Sequence, residues 1–319
     1  MPSEFDLIRR HFDRAAAHCD LAVGDDAALM APRAGMQLAV STDMLVAGTH
    51  FFADADPTLL GWKTLAVNIS DIAAMGAEPR WALLAIALPA ADETWIAAFA
   101  RGLFDCAHAY GVDLVGGDTT RGPLNMTVTI IGEVPAGAAI TRGGARPGDD
   151  LWISGQPGLA ALGLAALRGE AALTDAGRTR CLDALHRPQP RVALGLALRG
   201  IASAMLDVSD GLLGDLAHIL ERSRVGATVD LAALPLATLL ETGAAPEFAR
   251  RCLLSGGDDY ELLFSAPPAA RQAVAAAGAR AGVALHRIGS VDAGSGELQL
   301  RDADGRLRPA PATGYDHFA

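Results

Sequence analysis

The chain has 319 residues, a formal net charge of -11, and 51% hydrophobic and 20% charged residues. This length predicts two domains that each bury a core, and the acidic balance excludes nucleic acid, which needs a basic surface. The four cysteines lie far apart without a CxxC pair, which argues against zinc and indicates reduced cytoplasmic thiols. The charged N-terminal residues and the short longest apolar run, Trp81 to Leu88, predict neither a signal peptide nor a membrane span.

Strands and helices alternate in the first half of the chain. The apolar run Gln37–Val40 predicts a strand that delivers Asp43 at its end. Asp56-Pro57 is typical of a helix N-cap and first turn, and we expect that helix to continue to about Met75. The same patterns predict a strand over 81–88, a helix over 92–110, and strands over 112–115 and 125–134.

A Gly- and Pro-rich stretch over residues 141–148 predicts a domain boundary, with domains 1–140 and 141–319. Strand–loop–Asp–helix patterns occur in both halves, which hints at two related α/β halves with mixed sheets. In the second half we predict strands over 150–154, 205–208 and 260–265, helices over 159–168, 191–199 and 210–223, and a hairpin pairing 297–301 with 306–308.

Short clusters of Asp with Gly, Ser or Thr recur along the chain. Carboxylates repel one another, so a fold that gathers them needs cations, and hard oxygen ligands select Mg²⁺, Ca²⁺ or Mn²⁺ over Zn²⁺. The chain has neither a GxxxxGK[ST] nor a GxGxxG motif. The pattern therefore predicts a polyphosphate held through several Mg²⁺ ions. The clusters are Gly24-Asp25-Asp26, Ser41-Thr42-Asp43, Asn68-Ile69-Ser70-Asp71, Gly116-Gly117-Asp118-Thr119, Asp207-Val208-Ser209-Asp210-Gly211 and Gly256-Gly257-Asp258-Asp259.

Each of these residues also has a plainer interpretation. Asp25-Asp26 is either a metal pair or a solvated turn, and Asp43 either contacts a metal or phosphate or caps a helix or Asx-turn. Asp71 lies in an otherwise apolar helix, so it either has a partner or faces a site. His50 and Arg142 are ordinary packed or solvated side chains unless they bind a phosphate.

The remaining clusters are predicted at the ends of strands. Gly116–Thr119 and Gly256–Asp259 are expected on glycine-rich loops, which are either tight turns or ligand-binding loops. Asp207 and Asp210 are three residues apart and straddle a strand end and a helix start. A helix N-terminus favours an anion, so this pair is a candidate for phosphate or metal binding.

The motifs and their order along the chain resemble those of the thiamine-monophosphate kinase family, and the resemblance covers nearly the whole chain. The specific stretches are STDMLVAGTHF at 41–51 and NISDIAAMGA at 68–77. The resemblance implies phosphorylation of thiamine monophosphate to thiamine diphosphate by ATP. It also implies the two-domain fold of aminoimidazole ribonucleotide synthetase, with an N-terminal sheet domain, a C-terminal α/β domain and a homodimer formed through the N-terminal sheets. The supporting motifs are Glu4–Ile8, GDDAA, GGDTTRGP, DVSDG, SGGDDYEL and Gly314–Phe318.

The resemblance implies a role for individual residues as well. Those implied to bind Mg²⁺ are Asp26, Ser41, Thr42, Asp43, Asp71, Asp118, Asp207 and Asp210. Those implied to contact ATP are Asp26, Ser41, Gly117, Asp118, Arg142 and Ser209. Those implied to contact the thiamine substrate are His50, Asp258 and Tyr315, and those expected to act directly in the transfer are Asp43, Asp71 and Asp210.

Two small departures from the family pattern occur. Ala22-Val23 precedes the first Asp pair where the family often has Gly-Ile or Gly-Val, which affects loop flexibility. The second loop reads Gly256-Gly257-Asp258-Asp259, whereas the family often has Gly-Gly-Glu-Asp. Asp258 therefore replaces a glutamate and shortens a carboxylate on the substrate side.

The chemistry agrees with many Asp residues and no nucleophile–base pair. A phosphate acceptor is already ionised at neutral pH, so the main obstacle is bringing two anions together, which Mg²⁺ and positioning overcome. One alternative is another member of the same fold, such as aminoimidazole ribonucleotide synthetase, which acts on a ribonucleotide instead of a thiazolium substrate. A second is a non-catalytic protein that binds Mg²⁺ and ATP without turning over thiamine phosphates.

Overall fold

A computed structural model describes residues 4–294 and 296–311, and the chain divides into two compact units. The first unit contains the chain up to Ile72 together with Ala77–Gly137. The second contains Ala73–Gly76 and the chain from Ala138 onward. Residues 137 and 138 thus belong to different units, whereas the Gly- and Pro-rich stretch predicts a domain boundary between residues 140 and 141.

The first unit is built on a four-stranded mixed sheet with the strand order β1-β4-β2-β3. Strands β2 and β3 are parallel, and the other two pairs are antiparallel. The strands are β1 (Met36–Val46), β2 (Glu78–Leu88), β3 (Asp113–Arg121) and β4 (Asn125–Pro135). The helices are α1 (Glu4–Leu7), which is followed by a π-helical turn over Ile8–Phe12, α2 (Pro57–Ala74) and α3 (Glu93–Tyr110).

Helix α2 begins as the sequence predicts, because Asp56 Oδ1 accepts hydrogen bonds from the backbone N–H groups of Thr58 and Leu59 at 2.7 and 3.1 Å. It packs closely on α3: a Cβ on Gly102 would lie 1.8 Å from the Thr58 carbonyl oxygen, so only glycine fits there. This approach buries the apolar sides of both helices. The core residues here are at most 2% exposed, and they include Leu65, Ile69, Ile72, Ile96, Phe99, Leu103, Met126 and Ile130.

Two predicted boundaries in this sheet are wrong. Strand β1 does not end before Asp43 but continues through it to Val46, because β4 pairs with it over its whole length. Gly116–Thr119 is not on a loop but inside β3, where it pairs in parallel with β2. The sequence suggested loops because glycine and Asp are unusual in strands, and the pairing with a neighbouring strand overrides that local preference.

The sheet has one face against α2 and α3 and an outer face that is only partly covered. Trp81 and Ile131 on the outer face pack with Met30 and other residues of the segment before β1. On β1, the outer side chains of Leu38, Val40 and Met44 are 48%, 60% and 54% exposed. The first unit therefore carries an apolar outer face, which we define by Leu38, Val40 and Met44.

The second unit is built on a seven-stranded sheet with the order β11-β10-β7-β9-β5-β8-β6, in which only the β10–β7 pair is parallel. The strands are β5 (Asp150–Ser154), β6 (Ala204–Val208), β7 (Gly226–Asp230), β8 (Glu261–Ala266), β9 (Leu285–Asp292), β10 (Leu298–Arg301) and β11 (Leu307–Pro309). The helices are α4 (Leu159–Leu167), α5 (Asp175–His186), α6 (Val192–Ala197), α7 (Leu212–Ser223), α8 (Leu236–Leu240), α9 (Pro246–Ser255) and α10 (Arg271–Ala281).

The predicted α/β class with mixed sheets is confirmed, as are the strands near 150–154, 205–208 and 260–265 and the C-terminal hairpin. Helix α10 was not predicted, because Val274 and Ala277 are its only buried apolar side chains besides glycine and leave almost no periodic stripe. Within residues 4–294 and 296–311, no helix is both long and apolar enough to cross a membrane.

Candidate active site

In the first unit, strand β1 and helix α2 bring two of the Asp clusters together. The Ser41 hydroxyl donates to Asp71 Oδ2 at 2.5 Å, and the backbone N–H of Asp43 donates to Asn68 Oδ1 at 3.0 Å. Ser41 and Asp43 are two residues apart on a strand, so their side chains lie on the same face of the sheet, towards α2. Asp71 thus has a partner, and that partner belongs to the same candidate site.

Thr42 lies on the other face. Its hydroxyl is 2.9 Å from the hydroxyl of Thr129, its antiparallel neighbour on β4. Because successive strand residues point to opposite faces, the Thr42 side chain does not join those of Ser41 and Asp43. The structure therefore does not bring the Thr42 hydroxyl to the Ser41–Asp71 pair.

His50 follows β1 in the turn and is half-buried. Its Nδ1 accepts a hydrogen bond from the backbone N–H of Val46 at 3.0 Å. With Nδ1 acting as an acceptor, the proton of the neutral imidazole is on Nε2. The ring is therefore set up as a hydrogen-bond donor through Nε2, which suits an anionic ligand.

Two predicted site residues, Gly117 and Asp118, lie on β3 and face opposite sides of the sheet. The strand registers align Gly117 with Leu84, Val128 and Asp43 in one row across the sheet. Gly117 has a φ of 145°, and a Cβ there would lie 1.8 Å from the Leu84 carbonyl oxygen. Only glycine therefore fits at position 117, because any side chain there would collide with β2.

Asp118 is exposed and points to the outer face, one residue beyond that row. Because β1 and β3 are at opposite edges of the sheet, Asp43 and Asp118 are separated by the width of the sheet, about 14 Å at normal strand spacing. The structure does not bring them together, and one ion cannot be bound by both through this sheet.

Asp26 is exposed on the irregular segment that precedes β1. Two carboxylates of the sheet hold this segment: Asp113 accepts from the N–H groups of Ala17 and His18 at 2.7 and 2.6 Å, and Glu133, 1% exposed, accepts from Arg33. The anchors fix both ends of the segment. The hydrogen bond from the Asp26 N–H to Asp25 Oδ1 at 2.9 Å fits the turn interpretation of that pair.

In the second unit, Ser209 and Asp210 lie on the turn between β6 and α7. Asp215 Oδ2 accepts hydrogen bonds from the backbone N–H groups of both residues at 3.0 Å. Asp215 is 4% exposed, and burial raises the pKa of its carboxyl to about 7. Asp215 was not among the predicted site residues, although a carboxylate in the first turn of a helix after an Asp-rich loop is a signal for such a bond.

The Asp258 loop lies directly beside this turn. The N–H of Asp258 donates to the Ser209 carbonyl at 2.9 Å, and the N–H of Tyr260 donates to the Val208 carbonyl at 2.8 Å. The Tyr260 hydroxyl is 3.1 Å from Asp258 Oδ1. Asp258 and Tyr260 have φ values of 68° and 52°, which is rare for residues with a side chain. The hydrogen bonds hold this strained loop against the proposed phosphate-binding turn.

The neighbouring carboxyl of Asp259 faces the protein interior. Both of its oxygens are 2.8 Å from the backbone N–H of Gly158, and burial raises its pKa well above the usual range. It borders a cavity of about 340 Å³ whose walls also include Arg180 and Arg187. Glu261, at the start of β8, is held by Arg191 at 2.7 and 2.6 Å. The cavity was not foreseen from the sequence, because its walls come from distant segments.

Arg142 is exposed, and its main-chain carbonyl accepts from Ser223 at the end of α7 at 3.1 Å. Its positive charge contributes to lowering the pKa of Asp215, which opposes the larger effect of burial. Arg142 therefore lies near the turn that carries Ser209 and Asp210, which follows strand β6 with the buried Asp207. Tyr315 lies outside the described residues.

The donors in both units are hard oxygens. Over the described parts of the chain, no three His, Cys, Asp or Glu side chains are grouped closely enough to form a metal cage. Mg²⁺ is usually bound by only one or two carboxylates, with water and substrate phosphates completing its shell. The Ser41–Asp71 pair of the first unit, and separately Asp207 and Asp210 of the second unit, offer oxygen ligands of the kind that Mg²⁺ prefers.

Comparison with known proteins agrees with this architecture. The family descriptions "AIR synthase related protein, N-terminal domain" and "AIR synthase related protein, C-terminal domain" match residues 24–134 and 146–301. The fold and its two sets of acidic residues thus define a two-domain protein related to AIR synthase.

The comparison with individual proteins is more specific. The thiamine-monophosphate kinase of Escherichia coli (strain K12) is 47% identical over 325 residues, covering 99% of this chain and 98% of that relative. This chain belongs to the thiamine-monophosphate kinase family. The crystal structure of the thiamine-monophosphate kinase from Stenotrophomonas maltophilia K279a matches with 45% identity and a TM-score of 0.84, covering 94% of this chain and 95% of that one. A structure of AaThiL complexed with AMPPCP and TMP matches with 29% identity and a TM-score of 0.77, covering 93% and 92%.

Proposed function

We propose that this chain uses ATP to phosphorylate thiamine monophosphate, forming thiamine diphosphate and ADP by direct phosphoryl transfer. The observation that carries the proposal is the full-length likeness to thiamine-monophosphate kinases, at 47% identity over 99% of the chain. The AaThiL relative was obtained in complex with AMPPCP and TMP, which supports the same pair of substrates here.

The proposed Mg²⁺ ligands in the first unit are Asp43 and Asp71, with Ser41 beside them. The Ser41 hydroxyl donates to Asp71 Oδ2 at 2.5 Å, which places it directly beside that carboxylate. Asp26 and Asp118 would serve ions or phosphates apart from this pair, and Thr42 is left without a proposed metal contact, because its hydroxyl faces Thr129. In the second unit the proposed ligands are Asp207 and Asp210.

The remaining proposed contacts are to the two substrates. The residues proposed to contact ATP are Gly117, through its backbone, and Ser209 and Arg142. His50, with Nε2 as a donor, would bind thiamine monophosphate together with Asp258 and Tyr315.

The chemistry requires positioning more than proton transfer. The acceptor phosphate is ionised at neutral pH, so the chain has no need of a strong general base near Asp43. Bound Mg²⁺ would neutralise the charge on the reacting phosphates. The carboxylates of Asp43, Asp71 and Asp210 would hold Mg²⁺, and the hydrogen bonds at Ser41 and Asp258 would keep strand β1 and the Asp258 loop in place.

We propose further that the protein is a cytoplasmic homodimer. The apolar outer face, defined by Leu38, Val40 and Met44, supports the dimer, because single monomers rarely leave a row of large apolar side chains exposed to water. A second copy covering this face would remove it from water in the symmetric arrangement that most homo-oligomers adopt. The four cysteines lie far apart in the sequence and are present as thiols in the structure, which supports a reducing compartment.

The test is an assay with thiamine monophosphate, ATP and Mg²⁺ in which thiamine diphosphate is separated and quantified. We expect turnover with thiamine monophosphate and little with free thiamine, which lacks the ionised oxygen that attacks. Comparable conversion of free thiamine to its monophosphate would contradict the proposed acceptor. Binding of Mg²⁺ and ATP without any turnover of thiamine phosphates would instead favour a non-catalytic nucleotide-binding protein.

A further inference from the structure

Asn68 is a polar side chain buried completely inside an otherwise apolar stretch of helix α2. Both ends of its amide are used: Oδ1 accepts from the backbone N–H of Asp43 at 3.0 Å, and Nδ2 donates to the carbonyl of Thr64 at 3.0 Å. The reverse orientation would oppose two donors at one end and two acceptors at the other. The surroundings therefore fix the orientation of the Asn68 amide.

The Asp43 N–H belongs to an edge strand, where it needs a hydrogen-bond acceptor from outside the sheet. Strand β1 is at the edge of its sheet, so it has neighbouring-strand partners on one side only. Backbone N–H groups on the other side of an edge strand need another acceptor or water. Asn68 supplies that acceptor at Asp43, which ties the edge strand to the helix at the residue expected to act in the transfer.

A second hydrogen bond from α2 to β1 lies one helical turn away, and we call these two hydrogen bonds the Asn68 tie and the Asp71 tie. Asp71 accepts from Ser41, so positions 68 and 71 of α2 hold positions 43 and 41 of β1. Two ties on the same face prevent the strand from sliding or rotating relative to the helix. The Asp71 tie uses a proposed metal ligand, whereas the Asn68 tie uses a residue that has no access to solvent.

We propose that Asn68 is a positioning residue for phosphoryl transfer: by holding the main chain at Asp43, it keeps the Asp43 carboxylate aligned with the Ser41–Asp71 pair for binding of metal-bound phosphates. This inference rests on the proposed function. Asn68 acts through Asp43 and does not itself touch the reacting groups.

Asn68→Ser removes the hydrogen bond to Asp43 while keeping the one to Thr64, so it tests the two contacts of Asn68 separately. A serine hydroxyl in a helix can still donate to the carbonyl four residues earlier, here that of Thr64, but it is too short to reach Asp43. Asn68→Asp retains an acceptor oxygen at the length of the original side chain, so it should restore the tie in part. Val67→Ala is the matched control, because Val67 is the preceding buried residue, 3% exposed, and has no polar contact to the strand.

The variants are compared by kcat and KM with thiamine monophosphate, and by Mn²⁺ titration with AMPPCP present, followed by the electron paramagnetic resonance signal of free Mn²⁺. We expect Asn68→Ser to lower kcat about tenfold or more, since small displacements at a reacting centre are costly, and to weaken Mn²⁺ binding severalfold. Asn68→Asp should lie between Asn68→Ser and the wild type in kcat. Val67→Ala should lower the melting temperature and leave kcat and Mn²⁺ binding unchanged.

Wild-type kcat and Mn²⁺ binding in Asn68→Ser would overturn the proposal, as would an Asn68→Asp variant no better than Asn68→Ser. If Asn68→Ser does not fold, Asn68→Asp decides the question: Mn²⁺ binding close to that of the wild type supports the tie, and binding weakened severalfold or more overturns it. The Mn²⁺ measurement does not require turnover. A wild-type protein that binds Mn²⁺ but forms no thiamine diphosphate would contradict the proposed function and leave the positioning role to be judged from binding alone.

Discussion

Replacing Asp43 by Asn tests the proposed metal site with little disturbance of the fold. The side chain keeps its size, and the main-chain bond from Asp43 to Asn68 at 3.0 Å does not involve the altered carboxylate. Strand β1 also keeps its complete pairing with β4, from Met36 to Val46. We therefore expect the free energy of unfolding without ligands to change by less than about 1 kcal/mol.

The effect on the reaction should be far larger. Removing one preorganised group that stabilises developing charge typically costs about 3 kcal/mol in the transition state. At about 1.4 kcal/mol for each factor of ten, Asp43→Asn should lower kcat by about a hundredfold or more. Part of the loss should also be seen as a higher Mg²⁺ concentration at half-maximal rate, because the neutral amide is a weaker ligand.

The assay is steady-state formation of thiamine diphosphate over a series of Mg²⁺ concentrations, with thermal unfolding measured in chelator. Thr42→Val is the matched control: its side chain lies on the opposite face, so the variant loses only the 2.9 Å contact with Thr129 and should retain most of its activity. Near-normal turnover of Asp43→Asn would refute the role of this carboxylate. Equal losses in Asp43→Asn and Thr42→Val would show that the strand, and not the charge, was the sensitive feature.

Three further predictions concern metal, assembly and pH. EDTA should abolish turnover and Mg²⁺ restore it, whereas full activity in chelator would show that the carboxylates have another purpose. Sedimentation should give about twice the 32.9 kDa chain mass, and Val40→Asp, on the apolar outer face, should shift it to one chain mass without unfolding the protein; a wild-type monomer at micromolar concentration would count against the dimer. The hydrogen bond from Arg271, and to a lesser extent the one from Arg287, lowers the pKa of Asp150 below its ordinary value of 3.8, although burial acts in the opposite direction. Asp150→Asn should therefore lower the free energy of unfolding at pH 7 by about 2 kcal/mol. That stabilisation is present above pH 3.8 and lost as the pH falls through the lowered pKa, so acid titration of unfolding should make wild type and variant converge; a constant difference down to pH 2 would contradict the assignment.

The sequence predicted the elements whose periodicity and caps are strong. Helix α2 was found from Asp56, Pro57 and an apolar stripe, and the DVSDG turn was expected before α7, where the structure has it. The family resemblance, based on long specific stretches, is confirmed by the full-length match. These features depend on residues close together in the chain, so one sequence contains the information.

Features that depend on strand pairing could not be predicted in the same way. Gly116–Thr119 was expected on a loop because its residues disfavour strands, but its parallel pairing with β2 is a long-range contact. The same limit applies to Asp118, whose direction follows only from register, and to Asp215, whose partners are known only once the turn is folded. The ties from Asn68 and Asp71 to β1 likewise join segments about thirty residues apart, with Ser41 and Asp71 separated by 30.

The central claim is direct transfer of the terminal phosphoryl group of ATP to thiamine monophosphate. The most direct measurement is to supply ATP labelled with ³²P at the γ-phosphate, thiamine monophosphate and Mg²⁺, and to follow the label through separation of the products. We predict that the label enters thiamine diphosphate, in its terminal phosphate, in equal amount to the ADP formed. Label recovered only as inorganic phosphate, or retained in ATP while thiamine monophosphate is unchanged, would contradict the account.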